Sequence, residues 1–125
     1  MKITSFNPNI MTNDADAVAA VFEALGFVKK HQPTGQSSTG NQYKSYRMVD
    51  ANDFHVDITS TSVARDRDAI SIRINVDNYE EAYDMLIARG FTDTLAGRTT
   101  NTGSAKATAL VAPSGFVINL IQHIK

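Results

Sequence analysis

Eight side chains of this sequence could do chemistry together: Asn7, Asn9, His55, Asp57, Ser71, Arg73, Asn75 and Asn119. Most are neutral hydrogen-bonding groups, suited to binding rather than to bond breaking. Arg73 can clamp a carboxylate or phosphate through two parallel N–H···O bonds, or it can be a structural partner that neutralises Asp57. His55 and Asp57 are the weak catalytic candidates, as a base and the carboxylate that orients it. His31 and His123 fall near strand ends, where solvent reaches them. The chain has no cysteine, which excludes disulfides, thiolate metal sites and a thiol nucleophile. Gly97, Gly103 and the threonines around them lack the spacing of a phosphate-binding loop.

The elements that must position these residues follow from periodicity. Ile70–Phe91, ISIRINVDNYEEAYDMLIARGF, reads as strand, cap and helix closed by Gly-Phe. Ile70, Ile72, Ile74 and Val76 alternate with Ser71, Arg73 and Asn75, as in a half-buried strand. Asn78 is an N-cap with Glu81 in the first turn. Ala82, Tyr83, Leu86 and Ile87 form the apolar stripe, and Gly90 ends the helix. A shift of 64 positions (90 − 26) lays Gly90-Phe91 on Gly26-Phe27, Leu86 on Phe22, Ala82 on Val18 and Asp77-Asn78 on Asn13-Asp14. This is an internal repeat.

In order, the first half reads as strand Ile3–Thr12, in which Pro8 hints at an edge or a bulge, and helix Asp14–Leu25 with Val18, Val21, Phe22 and Leu25 on one face. A short strand from Phe27 follows, then Pro33–Asn41 as a flap or a plain hairpin loop. Strands Tyr43–Val49 and Phe54–Thr59 are joined by the turn Asp50–Asp53. The second half repeats the plan: strand Ile70–Val76, helix Asn78–Arg89, a short strand from Phe91, the loop Gly97–Gly103, and strands Ala105–Val111 and Phe116–Ile124. We expect one domain over 1–125, made of module 1–60 and module 68–125 joined by linker 61–67. The class is α+β: two β-α-β-β-β modules forming curved mixed sheets around a concave cup.

Parity assigns the faces. With a shift of 62, Phe54, Val56 and Ile58 fall on Phe116, Ile118 and Leu120; these should pack beneath the helices. His55, Asp57 and Asn119 point the other way, as do Ser71, Arg73 and Asn75 and, by the repeat, Asn7 and Asn9. Met11, Val117 and Ile121 lie alongside. Tyr43, Tyr46 and Met48 are candidates for an apolar wall.

Composition sets outer bounds. Hydrophobic residues are 42% and charged residues 20% of 125, ordinary for a globular chain. A net charge of −1 gives no reason to expect nucleic acid or an anionic membrane as partner. Without an apolar run of about 18 residues or a signal-like start, the expected location is cytoplasmic.

The two modules, the helix-ending Gly-Phe pairs and the late PSGFVINL resemble the vicinal oxygen chelate superfamily, which gathers glyoxalase I, extradiol dioxygenases, fosfomycin-resistance enzymes and bleomycin-resistance proteins. The resemblance spans essentially the whole chain, most specifically in SIRINVDNYEEAYDMLIARGF and APSGFVINLIQ. It implies a metal-ligand position on the first and last strand of each module, which here are Asn7, Asp57, Ser71 and Asn119. Metal-bearing members carry mostly His and Glu there. Neutral amides and a hydroxyl are poor donors for a first-row divalent ion, and His55 stands about 7 Å from Asp57 along the strand. No metal and no cofactor are expected. The resemblance then implies a glyoxalase/bleomycin-resistance-like protein binding a small polar or anionic organic molecule in a metal-free cup, as a homodimer. The absence of tryptophan argues against bleomycin itself. Two alternatives stand beside it. One is a lyase, isomerase or dioxygenase-type enzyme using side-chain acid–base chemistry or a non-standard metal site. The other is a non-catalytic dimeric scaffold.

Overall fold

A computed structural model describes residues 1–31, 34–36, 42–60, 66–95, 97, 99–101, 103 and 105–123. The expected flap at 33 and 37–41, and linker residues 61–65, lie outside the described residues. The elements are β1 (Ile3–Thr12), α1 (Ala15–Ala24), β2 (Val28–His31), β3 (Thr34–Gln36), β4 (Gln42–Val49), β5 (His55–Ser60), β6 (Ala69–Val76), α2 (Tyr79–Ala88), β7 (Thr92–Asp93), β8 (Thr100–Asn101), β9 (Ala105–Val111) and β10 (Val117–His123). The chain divides into two compact units, Asn7–Ile70 and Ser71–Lys125 with Met1–Phe6. Each carries a mixed sheet and one helix, the β-α-β-β-β plan.

In the first unit β1 runs parallel to β5, while β4 is antiparallel to both β5 and β2. Ala15, Ala19, Tyr46, Met48, Val56 and Ile58 form its core, with Val18, Phe22 and Phe27 packed against them. In the second unit β6 runs parallel to β10, and β9 is antiparallel to β10 and β7. Its core is Val76, Tyr79, Ala82, Leu110, Ile118 and Leu120, flanked by Ile74, Tyr83, Leu86 and Phe91.

The local chemistry of the two helices is the same at a spacing of 64. Asp14 caps α1 by accepting from the Ala17 amide, and Asn78 caps α2 by accepting from the Glu81 amide, both at 3.1 Å. At the far ends the Phe27 amide returns to the Phe22 carbonyl and the Phe91 amide to the Leu86 carbonyl. Gly26 and Gly90 make those returns with φ of 107° and 95°, where a side chain is strained. At Gly90 a Cβ would also stand 3.0 Å from the Pro113 ring.

Four expectations about burial are corrected. The stripe of α1 centres on Ala15 and Ala19, whereas Val21 and Leu25 are 57% and 68% exposed. Small residues let the helix sit close on the sheet; Val21 falls off that stripe, and Leu25 is the C-cap. In α2, Tyr79 replaces Ile87 as a buried residue. Phe54 and Phe116 are exposed rather than core, because each precedes its strand by one residue. The Asp50 carboxylate accepts from the Phe54 amide at 2.9 Å and keeps that residue in the turn, while Phe116 leans edge-on against Phe91. Ile70 is exposed at the start of its strand.

Candidate functional site

The face of each sheet turned away from its helix carries the polar residues. In the first unit Tyr46, Met48, Val56 and Ile58 enter the helix-side core, so alternation sends Arg47, Asp57 and Asn9 to the opposite side. Tyr46 and Met48 therefore do not wall the polar face, which corrects that expectation. The side chain of Tyr43 lies outside the described residues.

Register then assembles a row across three strands. Arg47 on β4 stands opposite Asp57 on β5, and Asp57 stands beside Asn9 on β1. Asp57 and Asn9 are 6% and 8% exposed. Thr59 donates its hydroxyl to Asn9 Oδ1 at 3.0 Å, which fixes the amide with its oxygen toward Thr59. Asn7, also buried, donates from Nδ2 to the Pro8 carbonyl at 3.0 Å. His55 sits at the start of β5 and places Nε2 3.3 Å from Asp53 Oδ1, at the exposed turn. Its carboxylate neighbour there is Asp53, two residues before it, and the turn draws the imidazole toward solvent.

The second unit builds the matching row. Arg73 on β6 pairs with Asn119 on β10, and Asn119 with Ala109 on β9. Ser71 is 1% exposed and donates its hydroxyl to Asn119 Oδ1. Arg73 donates from Nε to Asn75 Oδ1 at 3.2 Å, and Asn75 is itself buried. That bond orients the guanidinium through its Nε edge on the polar face, and a planar guanidinium is a group that reads a carboxylate or phosphate.

Metal ligation does not fit this donor set. Two of the four positions, Ser71 and Asn119, are spent on each other, and Asn7 bonds to its own neighbour's backbone. Among the described residues no three His, Asp or Glu side chains gather closely enough to hold an ion. Asp57 alone brings an anionic oxygen, and one carboxylate with amides is a poor cage for a first-row divalent cation.

Arg47 and Thr59 were not visible as site residues from side-chain type alone. The signal that finds Arg47 is the turn length: Val49 pairs with His55 across Asp50–Phe54, and counting inward from that pair puts Arg47 on Asp57.

The perturbed acids lie elsewhere. Burial alone would raise Asp93, yet hydrogen bonds from Thr108, the Leu95 amide, Tyr83 and the Gly97 amide hold it below the usual carboxylate range. This anchor joins β7, α2 and β9 on the helix side of the second unit, away from the polar row.

Comparison with family models and with curated protein sequences gives no match. Solved structures match over nearly the full chain. A glyoxalase/bleomycin resistance protein/dioxygenase superfamily member from Vibrio splendidus 12B01 is 12% identical, with a TM-score of 0.61 over 97% of this chain and 99% of that one. Methylmalonyl-CoA epimerase from Mycobacterium tuberculosis is 12% identical, with a TM-score of 0.71 over 98% and 90%. A Streptomyces coelicolor methylmalonyl-CoA epimerase variant in complex with 2-nitronate-propionyl-CoA is 13% identical, with a TM-score of 0.65 over 99% and 100%. At these identities the likeness speaks to fold, and it does so consistently: this chain has the glyoxalase/bleomycin-resistance/dioxygenase fold, the architecture of the vicinal oxygen chelate superfamily.

Proposed function

We propose that this protein binds a small polar or anionic organic molecule on the helix-distal sheet faces, without the metal that many proteins of this fold use. Asn7, Asn9, His55 and Asp57 belong to the binding surface of the first unit, and Ser71, Arg73, Asn75 and Asn119 to that of the second. The observation that carries the reading is the hydrogen bond from Arg73 Nε to Asn75 Oδ1, which holds a guanidinium in register with Asn119 on the polar face. Fixing the guanidinium before the ligand arrives lowers the ordering cost of binding. The epimerases of this fold have structures with methylmalonyl-CoA and with a nitronate analogue, both anionic ligands. A homodimer, expected from the resemblance, is part of the reading; sedimentation at tens of micromolar that shows a strict monomer would remove it.

The test is a thermal-shift screen of carboxylates and phosphorylated metabolites on wild type, Arg73→Ala and Arg73→Lys. Stabilisation by an anion should vanish in Arg73→Ala and survive only in part in Arg73→Lys, because an ammonium cannot make the paired contact. Equal shifts in wild type and Arg73→Ala would end the reading.

A further inference from the structure

The two helices are equivalent by the repeat, yet their outer faces differ. α1 buries Ala15 and Ala19 against its sheet, with Val18 and Phe22 beside them. Its outer face carries Ala17, Ala20, Val21, Ala24 and Leu25, all exposed. They fall at i, i+3, i+4, i+7 and i+8, and the C-cap Leu25 keeps helical dihedral angles, so they form one apolar stripe along the helix. At a shift of 64 the same positions of α2 are Glu81, Asp84, Met85, Ala88 and Arg89, an ordinary solvated face. A helix that is apolar on both sides is one that a second surface covers.

We propose that this face docks a second copy of the chain, α1 packing antiparallel on α1 about a two-fold axis beside Val21. The inference rests on the homodimer of the reading above and deepens it by assigning its surface. Charge favours a second copy as the occupant. Near a two-fold axis a residue meets its own kind, so a charged stripe would repel itself. The stripe of α1 holds no charge, whereas that of α2 would set Asp84 against Asp84. The acid in the first turn of α1, Asp16, is already held by Lys44 at 2.6 Å. Antiparallel packing also lays the positive N-terminal end of each helix dipole beside the negative C-terminal end of the other.

Size points the same way. Ala17 and Leu25 lie four residues either side of Val21, so in an antiparallel pair the small end of one stripe receives the large end of the other. The alanines let the helix axes approach to about 8 Å. Beyond the helix, Val28 begins β2 three residues after Leu25 and pairs with Val49, and the turn Asp50–Phe54 follows Val49. Val28 and Phe54 are exposed, so the end of the unit at which Leu25 lies is apolar as well. Contiguous apolar surface of this kind marks an interaction site, where scattered residues do not. One helix pair with such a flank is smaller than a standard interface of about 1,600 Å², which places this dimer among the weak ones.

The experiment is sedimentation of the whole chain from about 5 to about 500 µM, a range that covers weak interfaces. Wild type should show a monomer–dimer equilibrium, and Val21→Glu should weaken it at least about tenfold. An equimolar mixture of Val21→Glu and Val21→Lys should recover more dimer than either variant alone, because the axis sets residue 21 against its own copy. Melting of each variant at the lowest concentration checks the fold. The chain has no cysteine, so cross-linking reads the same contact independently. Val21→Cys should form an intermolecular disulfide on mild oxidation, and Met85→Cys, at the equivalent place on α2, should not. The proposal is overturned by a dimer that Val21→Glu leaves intact, by a mixture no more dimeric than its components, or by equal cross-linking at the two positions. Each of those results removes this surface and leaves the homodimer standing. A wild type that stays monomeric throughout removes the homodimer as well; if it then floats with phosphatidylcholine vesicles, the face belongs to a lipid surface instead. Ligand binding is scored separately, on the Arg73 variants.

Discussion

Lys44 holds the carboxylate of Asp16 at 2.6 Å, tying the first turn of α1 to β4 of its module. Lys106 makes the same bond to Glu80 on α2, at 2.8 Å. The acids are 64 apart (80 − 16) and the lysines 62 apart (106 − 44), the two spacings that relate helices and later strands throughout the chain. The repeat therefore extends beyond caps and apolar residues to a paired charge that locates each helix start over its sheet.

These pairs predict carboxyl titrations. Asp16 lies below the ordinary aspartate range first because Lys44 donates to it, and then because the Tyr46 hydroxyl does. Glu80 is lowered first by Lys106. Carbon-detected NMR should show the Asp16 midpoint rising in Lys44→Ala and the Glu80 midpoint rising in Lys106→Ala, each leaving the other acid unmoved. Both pairs are exposed, so salt should narrow the difference. An unchanged Asp16 midpoint in Lys44→Ala would mean the pair does not persist in solution.

Core truncation gives the second prediction. Met48 and Leu110 are 62 apart and both 0% exposed, beneath equivalent helices. Replacing either by Ala should cost about 2–5 kcal/mol in urea unfolding, with little change in m-value. Phe22 and Leu86 are half-buried and should cost less, about 1–3 kcal/mol. A larger loss at Phe22 than at Met48 would contradict the packing.

What could be read from the sequence divides along physical lines. Caps and helix ends are short-range chemistry, so Asp14, Asn78, Gly26 and Gly90 announce both helices almost to the residue. Strand faces obey a two-residue period, so Val56, Ile58, Ile118 and Leu120 were assignable, as were the polar residues between them. The period says nothing about where a strand begins, and so alternation includes Phe54 and Phe116 although each strand starts one residue later. Counting hydrophobicity favoured Val21 and Leu25 over Ala15 and Ala19, although close helix–sheet contact selects small side chains. Arg47 required cross-strand register, which alternation within one strand does not contain.

The donor set makes a further prediction about metals. Titration with nickel, zinc, cobalt or manganese should reveal no micromolar site that depends on Asp57. Ser71 and Asn119 hydrogen-bond to each other, and ligation would have to break that bond and recruit neutral oxygens. A stoichiometric site lost in Asp57→Asn would overturn this.

Asp93 supplies the pH dependence. Its carboxylate accepts from the Thr108 hydroxyl at 2.6 Å, the Tyr83 hydroxyl at 2.8 Å, the Leu95 amide at 2.9 Å and the Gly97 amide at 3.2 Å. Burial opposes the charged form, but these donors outweigh it and the folded-state pKa falls below the unfolded value. A depressed acid contributes stability that is fully present above its unfolded pKa, about 3.9, and is lost as pH falls through the folded value. Wild type should therefore lose melting temperature steeply once pH drops below about 4, beyond what its other acids account for. Asp93→Asn cannot reproduce the arrangement, because an amide nitrogen would face a donor and one acceptor oxygen would be missing. The variant should melt below wild type at pH 7, and the gap should shrink as pH falls through the acid range. Tyr83→Phe removes one donor and should move the Asp93 midpoint upward while leaving the carboxylate in place. A gap between wild type and Asp93→Asn that stays constant from pH 7 down to about pH 2 would show that the anchor acts by shape rather than charge.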